Sequence, residues 1–400
     1  MMYSLASESA PSPTLRDAIM TNRRIAAAAA SFAALSAVLA GCGLGTAGDD
    51  SEGGSSGEVS ELQETAQERV EELRQGPATY PGPTEPFDVV LGKAVVIQCG
   101  SGAPICKEGG DEAVAALEAM GWETGPAVDQ QFSPQVGSAA IDRAVADGVD
   151  GIIIIGSDVN PLKAAVNRAL DADIAVLCAT CASGPEWAGK VYDVTVNFYD
   201  QGVAAAWKVI SEAGDDAKVH GFRDLAFLSA TTRQVGLVET IEQECPDCEI
   251  EMEDFSAPEI AKPGPPQFSA LLASNPQGTL DYVVGHYDGF AVAAAKTEKN
   301  AGRTDIKIGG YDGYTNGLEE LASNNPPMDF IVAEAYNYHA WAAVDLLGRI
   351  KAGAPLWEDY DNMQSTLIDS TNVQQYLDQE PDHFPGPPNY RENLTELWQQ

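Results

Sequence analysis

Basic residues are scarce in this chain: 23 Lys and Arg stand against 60 Asp and Glu, for a net charge of −37. A solvated surface that acidic disfavours nucleic acid and anionic lipid head groups as partners. Histidine is scarcer still. His220, His286, His339 and His383 are scattered and lie near no cysteine pair, so neither a metal nor a cofactor is expected. The usual catalytic signatures are missing. There is no Ser-His-Asp spacing, no Gly-x-Ser-x-Gly, no His-Glu-x-x-His and no P-loop. The chain is therefore not expected to be an enzyme, and Asp312 with Glu334 as a glycosidase pair is the weakest alternative.

Long apolar runs are also lacking. Ile25 to Val38 is too short for a comfortable membrane span. Arg23 and Arg24 precede it as a positive n-region, so residues 1–41 read as a signal peptide whose true start is Met20. Leu39-Ala40-Gly41-Cys42 resembles a bacterial lipobox. That resemblance implies cleavage before Cys42 and a diacylglyceryl anchor on its thiol, holding the protein on the outer face of the cell membrane.

Residues 42–87 then read as the lipidated Cys, a flexible Gly, Ser and acid tether, a short helix and a Pro-rich linker. Val59, Leu62, Ala66, Val70 and Leu73 recur at spacings of three and four. The stripe is narrow and expected to be a stalk helix or to dock on the chain's own domain, rather than to pair with a second copy, leaving a monomer.

Four hundred residues exceed one ordinary core, so two lobes are expected. The most informative stretch is Asp147 to Cys178. Ile152 to Ile155 is a β-branched run without alternation, a strand buried on both faces. Asn160 is expected to cap a helix begun by Pro161, with Leu162, Ala165, Val166, Ala169 and Leu170 on one face. Ile174 to Cys178 is a second buried strand. The three elements form a right-handed βαβ unit, whose ligand side lies beyond the strand ends at Ser157-Asp158 and Thr180-Cys181.

The rest of the chain keeps this rhythm. Strands are expected at Lys93–Cys99, Leu225–Leu228, Leu280–Gly285, Ile306–Gly310, Phe330–Glu334 and Leu367–Ser370. Helices are expected at Asp111–Met120, Gln135–Asp147, Tyr199–Ala213, Val235–Glu244, Ala291–Lys299 and Tyr338–Ala352. The strand–helix–strand run from Leu280 to Gly310 mirrors the one from Gly151 to Cys178.

Six cysteines follow Cys42 in three close pairs, Cys99/Cys106, Cys178/Cys181 and Cys245/Cys248. An even number outside the cytoplasm suggests disulfides. Sequence alone cannot choose among the connectivities, and the local pairs are expected because each spans one turn or loop. The first two pairs follow first-lobe strands and are expected to shape a cleft rim.

Gly148-Val149-Asp150-Gly151-Ile152-Ile153-Ile154, then Asn160-Pro161-Leu162, an Ala-rich helix and a short strand, resemble type I periplasmic binding proteins of the ribose-binding kind. The resemblance covers roughly residues 90–372. It implies two doubly wound, Rossmann-like α/β lobes, crossed by the chain near Thr195, Glu334 and Ser365. Residues 88–195 with 335–365 would be the N-terminal lobe and 196–334 with 366–377 the C-terminal lobe. Residues 378–400 would be a surface arm without an assigned role.

The implied function is capture of a small polar ligand, a sugar, polyol or amine-bearing molecule, for an ABC permease. The alternative output is a ligand sensor addressing a membrane receptor. The first-lobe positions this implies for ligand contact are Gln98 and Ser101, joined by Ser157 and Thr180 at the strand ends. The usual Phe pair and Asp-Arg clamp of relatives are absent there. In the second lobe the match is to Arg233, Tyr287, Asp312 within Gly310-Tyr311-Asp312-Gly313, and Glu334, with Tyr314 and Tyr336 as a stacking wall. Carboxylates accept ligand hydroxyls, and Arg233 would compensate their burial.

Overall fold

Four successive β-branched residues cannot alternate between core and solvent, and in the computed structural model Ile152 to Ile155 are all fully buried. The structure describes residues 59–76, 80–255, 266–324, 326–379 and 384–399. The signal segment, Cys42, the tether to Gly57 and His383 lie outside them.

Helix α1 (Glu61–Arg74) leads. It is followed by β1 (Phe87–Asp88), β2 (Ala94–Gln98), α2 (Pro104–Met120), β3 (Val128–Asp129), α3 (Pro134–Ala146), β4 (Gly151–Ile155), α4 (Lys163–Asp171), β5 (Ala175–Ala179) and β6 (Val191–Val194). Five of these strands form a parallel sheet in the order β3-β2-β4-β5-β6. The βαβ unit read from sequence is its centre.

The second half supplies α5 (Phe198–Ala213), β7 (Lys218–Arg223), α6 (Leu228–Glu244), β8 (Glu249–Asp254), α7 (Pro266–Ser274), β9 (Tyr282–Val284), α8 (Asp288–Asn300), β10 (Lys307–Asp312), α9 (Thr315–Leu321) and β11 (Met328–Ala333). Then come α10 (Tyr336–Ala352), β12 (Thr366–Asp369), α11 (Val373–Gln379), α12 (Tyr390–Leu397) and β13 (Trp398–Gln399). The second sheet runs β12-β11-β10-β9-β7-β8, with only β12 antiparallel to its neighbour. No helix among the described residues is long and apolar enough to cross a membrane.

Three local expectations are corrected. Leu225–Leu228 is not a strand. Asp224 Oδ1 accepts from the Ala226 backbone N–H at 2.9 Å, a turn that ends the strand before it, and Leu225 faces solvent. The true strand, β7, carries His220 and Gly221 in its middle and so lacks an apolar run. Helix α2 begins at Pro104, ahead of Asp111, because proline suits a first helical turn; Cys106 is thus helical. Asn160 does not cap α4. It sits in a single 3-10 turn and accepts from Trp187 Nε1 at 2.9 Å. Strands β6 and β8 and helices α7, α9, α11 and α12 were not legible at all.

The chain passes from the first sheet to the second between Val194 and Phe198. It returns as α10, which packs on α2 and β5, and leaves again for β12. Two of these passages are paired: Met363 N donates to Thr195 O, and Thr195 N to Tyr360 O, both at 3.0 Å. Both chain ends add further passages. Helix α1 packs on α5 and β12, with the Arg74 Nε–H donating to Asp369 Oδ2 at 3.0 Å, before the chain reaches β1 in the first lobe. After α11 the chain returns, and β13 pairs with β1.

The C-terminal segment is therefore built into the first lobe. Trp398 stacks on Trp341 at 5.8 Å between centroids and donates from Nε1 to Asp345 Oδ1 at 2.9 Å. Arg349 bonds Asp345 at 2.6 Å and lies over Phe87 of β1.

The three local cysteine pairs are joined in the structure, with Cα separations of 5.3 Å for Cys99–Cys106, 5.6 Å for Cys178–Cys181 and 5.4 Å for Cys245–Cys248. These match ordinary disulfide geometry at the Cα level. The first ties the end of β2 to α2, and the second closes the turn after β5.

Candidate functional site

Two glycines set the position of the central arginine. Helices α5 and α6 cross so closely that a Cβ on Gly202 would overlap the Arg233 carbonyl, and one on Gly236 the Tyr199 carbonyl. That approach brings Gln201 of α5 against Arg233 of α6, whose Nε donates to Gln201 Oε1 at 2.7 Å. Arg233 thus lies in the second turn of a helix that already includes Ser229 to Thr232, and it is buried. Its guanidinium sits between the rings of Phe198 and Tyr311, 5.1 and 5.0 Å from the centroids.

Two carboxylates meet it. Nη1 is 2.8 Å from Asp312 Oδ1, and Nη2 is 2.6 Å from Glu334 Oε1. Asp312 ends β10 with a φ of 96°, a region that an L-residue rarely occupies, and Gly313 follows at 100°. The buried Asp288 holds this turn: its Oδ2 accepts from the backbone N–H groups of Gly313 and Tyr314, both at 2.8 Å. Phe384 N, from the C-terminal segment, donates to Gly313 O at 3.3 Å.

One guanidinium faces two buried carboxylates, which is too little charge for both. Burial opposes the charge on Arg233, but Asp312 and Glu334 more than offset it and hold the group protonated. Burial pushes the Glu334 carboxyl up; Arg233 opposes the rise and Asp312 adds to it. His339 Nδ1 is 3.5 Å from Glu334 Oε2. Burial takes this imidazole down to about 3, so at neutral pH it is uncharged and the contact is not an ion pair. His286 is likewise taken down to about 3 by burial and by Arg233.

The tyrosines gather round the same point. Tyr314 packs edge-on to Tyr336 at 6.3 Å and hydrogen-bonds Asp312. The Tyr336 hydroxyl donates to Glu108 Oε2 at 2.6 Å. Tyr287 packs edge-on against His286 at 4.4 Å, within the electrostatic reach of Asp224 and Asp312.

First-lobe positions stand apart from this cluster. Gln98 Nε2 donates to Ser101 Oγ at 2.7 Å, and Ser157 Oγ accepts from Gln130 Nε2 at 3.0 Å. Thr180 is buried with a φ of 56°. Among the described residues, no hydrogen bond or ion pair joins these four to Arg233, Asp312 or Glu334. Asp158 makes a direct link between lobes: its Oδ2 accepts from the Leu228 backbone N–H, at the first turn of α6, at 2.6 Å.

Gln201, Asp288, His286 and His339 were missed as parts of the site. Tyr199-Asp200-Gln201-Gly202 was visible as a helix start, and that was the available signal for Gln201.

The profile of the periplasmic binding protein domain matches residues 94–355. The chain belongs to the periplasmic binding protein family. No curated protein sequence matches it. Among solved structures, this periplasmic binding protein is similar to an ABC transporter solute-binding protein from Agrobacterium vitis with bound allitol. The TM-score is 0.63 at 19% identity, covering 73% of this chain and 100% of that one. The 5-methylthioribose transporter solute-binding protein from Thermotoga lettingae, bound to 5-methylthioribose, matches with a TM-score of 0.63 at 16% identity, covering 79% and 99%. A sugar transporter subunit from Rhodobacter sphaeroides matches with a TM-score of 0.61 at 20% identity, covering 70% and 99%. At these identities the likeness is one of fold, and it establishes the type I two-lobe architecture. The family is extracytoplasmic, and its members are binding proteins rather than enzymes.

Proposed function

We propose that this periplasmic binding protein captures a small hydroxylated solute, a sugar or polyol, between its lobes and delivers it to an ABC permease. The observation that carries the reading is the buried Arg233–Asp312–Glu334 cluster, at the ends of α6, β10 and β11. A fixed guanidinium and two carboxylates supply donors and acceptors for vicinal hydroxyls, and the rings of Tyr287, Tyr314 and Tyr336 offer apolar faces beside them. Gln98, Ser101, Ser157 and Thr180 complete the site when the lobes close about the hinge at Thr195, Glu334 and Ser365. Support comes from the sugars and polyols bound to relatives of the same fold.

The same reading anchors the chain by a diacylglyceryl group on Cys42, with residues 1–41 removed. Lobe limits follow the sequence reading, 88–195 with 335–365 and 196–334 with 366–377, save that the segment ending in β13 joins the first lobe, and the mature protein acts as a monomer. Intact-mass analysis of membrane-extracted protein tests the anchor: a lipid-modified Cys42 as first residue is expected, and an unmodified Cys42 would remove the anchor alone.

A thermal-shift screen of neutral sugars and polyols tests the function. A ligand at a hundred times its Kd stabilises by about 2.7 kcal/mol. The expected result is a rise in Tm that Asp312→Ala abolishes while the variant still melts cooperatively. A rise undiminished in Asp312→Ala would remove Asp312 from the site.

A further inference from the structure

Helix α6 carries the Arg233 guanidinium, yet its own sequence gives its start little support. Phe227 stands at the N-cap and offers no side-chain acceptor, and no acid occupies the first turn. The first N–H groups of a helix have no partner within it and need acceptors from outside. Asp224, the acid just before the helix, turns its Oδ1 to the Ala226 N–H at 2.9 Å, ahead of the cap.

The missing acceptor comes from the other lobe. Asp158, in the loop that follows β4, accepts from the Leu228 N–H at 2.6 Å. Leu228 is the first residue of α6. A side chain 70 positions away in the chain thus does the work of an N-cap.

The surface that receives Leu228 is firmly built. A Cβ on Gly184 would lie 3.5 Å from Leu228 Cδ2, so first-lobe backbone also comes up against the Leu228 side chain. Gly184 reaches this position with a φ of 91°, which favours glycine. Ser183 before it donates to Asp193 Oδ2 from N at 3.0 Å and from Oγ at 2.9 Å. The buried Trp187 after it donates to Asn160, just beyond Asp158, at 2.9 Å. The Cys178–Cys181 disulfide closes the turn that leads into this loop. Asp158 and the loop from Ser183 to Trp187 therefore form one seat for the start of α6.

We propose that Asp158 is a positioning residue that caps α6 across the cleft, so that closing of the lobes completes the start of the helix that carries Arg233. Opening withdraws the cap, leaves the Leu228 N–H without its acceptor and frays the first turn. Hinge position and order of the arginine helix are thereby coupled. The role rests on the lobe closure of the proposed function but on no choice of solute.

Hydrogen exchange and small-angle scattering on the full mature chain, dialysed and with no solute added, test this. In Asp158→Ala the amides of Thr231 to Arg233 should lose protection by about tenfold, the size of one lost cap, and the radius of gyration should rise. Asp158→Asn keeps a carbonyl oxygen in the same place, so exchange there should be no faster than in wild type. Leu228→Pro is the second variant, and it decides where Asp158→Ala does not fold. Proline suits a first helical position and the extended Phe227 before it, and it deletes the donor N–H. It should reproduce Asp158→Ala, and the two changes together should do no more than either alone. The amides of α10 should exchange as in wild type throughout. Wild-type exchange at Thr231 to Arg233 in folded Asp158→Ala or in Leu228→Pro overturns the latch and leaves the solute-binding function standing. So does an Asp158→Asn that exchanges as fast as Asp158→Ala, or a loss of protection shared equally by α10.

Discussion

The Arg233 guanidinium and the Asp312 carboxylate meet at 2.8 Å, with side chains 4% and 5% exposed. They come from a helix and a strand end 79 positions apart in the chain, by the difference of their numbers. The pair is held from both sides. On one side α5 closes on α6 through glycines; on the other, Asp288 pins the strained turn that aims Asp312 back at the arginine.

Removing the arginine should therefore do two things. Arg233→Met leaves Asp312 and Glu334 buried without a cation, and breaking a buried pair this way costs about 3–5 kcal/mol. Urea unfolding should show that loss, and binding of any cleft ligand should vanish with it. A variant of wild-type stability would mean that the cluster is not buried as described.

Gly236→Ala touches neither ligand nor charge, yet its methyl would meet the Tyr199 carbonyl of α5. The helices must part by a fraction of an ångström or more, which withdraws Gln201 from Arg233. Overpacking of this kind costs about 1–3 kcal/mol. Ligand affinity should fall as well as stability, whereas Gly278→Ala, at an open turn, should lower stability alone.

The charge on Asp158 sets a pH dependence. Burial raises its carboxyl to about 7, Asp193 and Asp224 add to the rise, and the Leu228 N–H opposes it. A carboxyl whose folded pKa is raised contributes stability that is full below its unfolded value, about 3.9, and is lost as pH rises through about 7. Asp158→Asn removes this dependence. The margin of the variant over wild type in chemical unfolding of the ligand-free protein should widen steadily from about pH 4 to about pH 8. His286 and His339 charge on unfolding in both proteins alike, so they cancel in the comparison. Equal differences at both pH values would contradict the assignment.

Trp398, at the far end of a Pro-rich segment, should matter more than its sequence surroundings suggest. Its ring stacks on Trp341 and its Nε1 donates to the buried Asp345. Trp398→Ala should cost about 3–5 kcal/mol in unfolding experiments. A loss under about 1 kcal/mol, the size typical of a surface substitution, would show the segment to be loosely held.

What could be read in advance followed from local pattern. Ile152–Ile155 announced a doubly buried strand, and its neighbours placed the first parallel sheet and its mirror around β9 and β10. Asp312 was legible from Gly310-Tyr311-Asp312-Gly313, although its positive φ was not. The helix carrying Arg233 was expected to start later than Leu228, because Leu225–Leu228 is apolar enough to mimic a strand while β7 hides behind His220 and Gly221. Contacts between distant segments left no local trace. The pairing of β13 with β1, the docking of α1 on α5, and the bond from Asp158 to Leu228 depend on the tertiary fold alone.

The most direct test of the central claim is titration calorimetry of a ligand found by the screen against wild type and Asp312→Asn, at equal protein concentration. One site per chain is expected in wild type, with affinity reduced by about a hundredfold in Asp312→Asn, about 2.7 kcal/mol. An isotherm for Asp312→Asn superimposable on that of wild type would contradict the claim that the Arg233–Asp312–Glu334 cluster is where the solute is held.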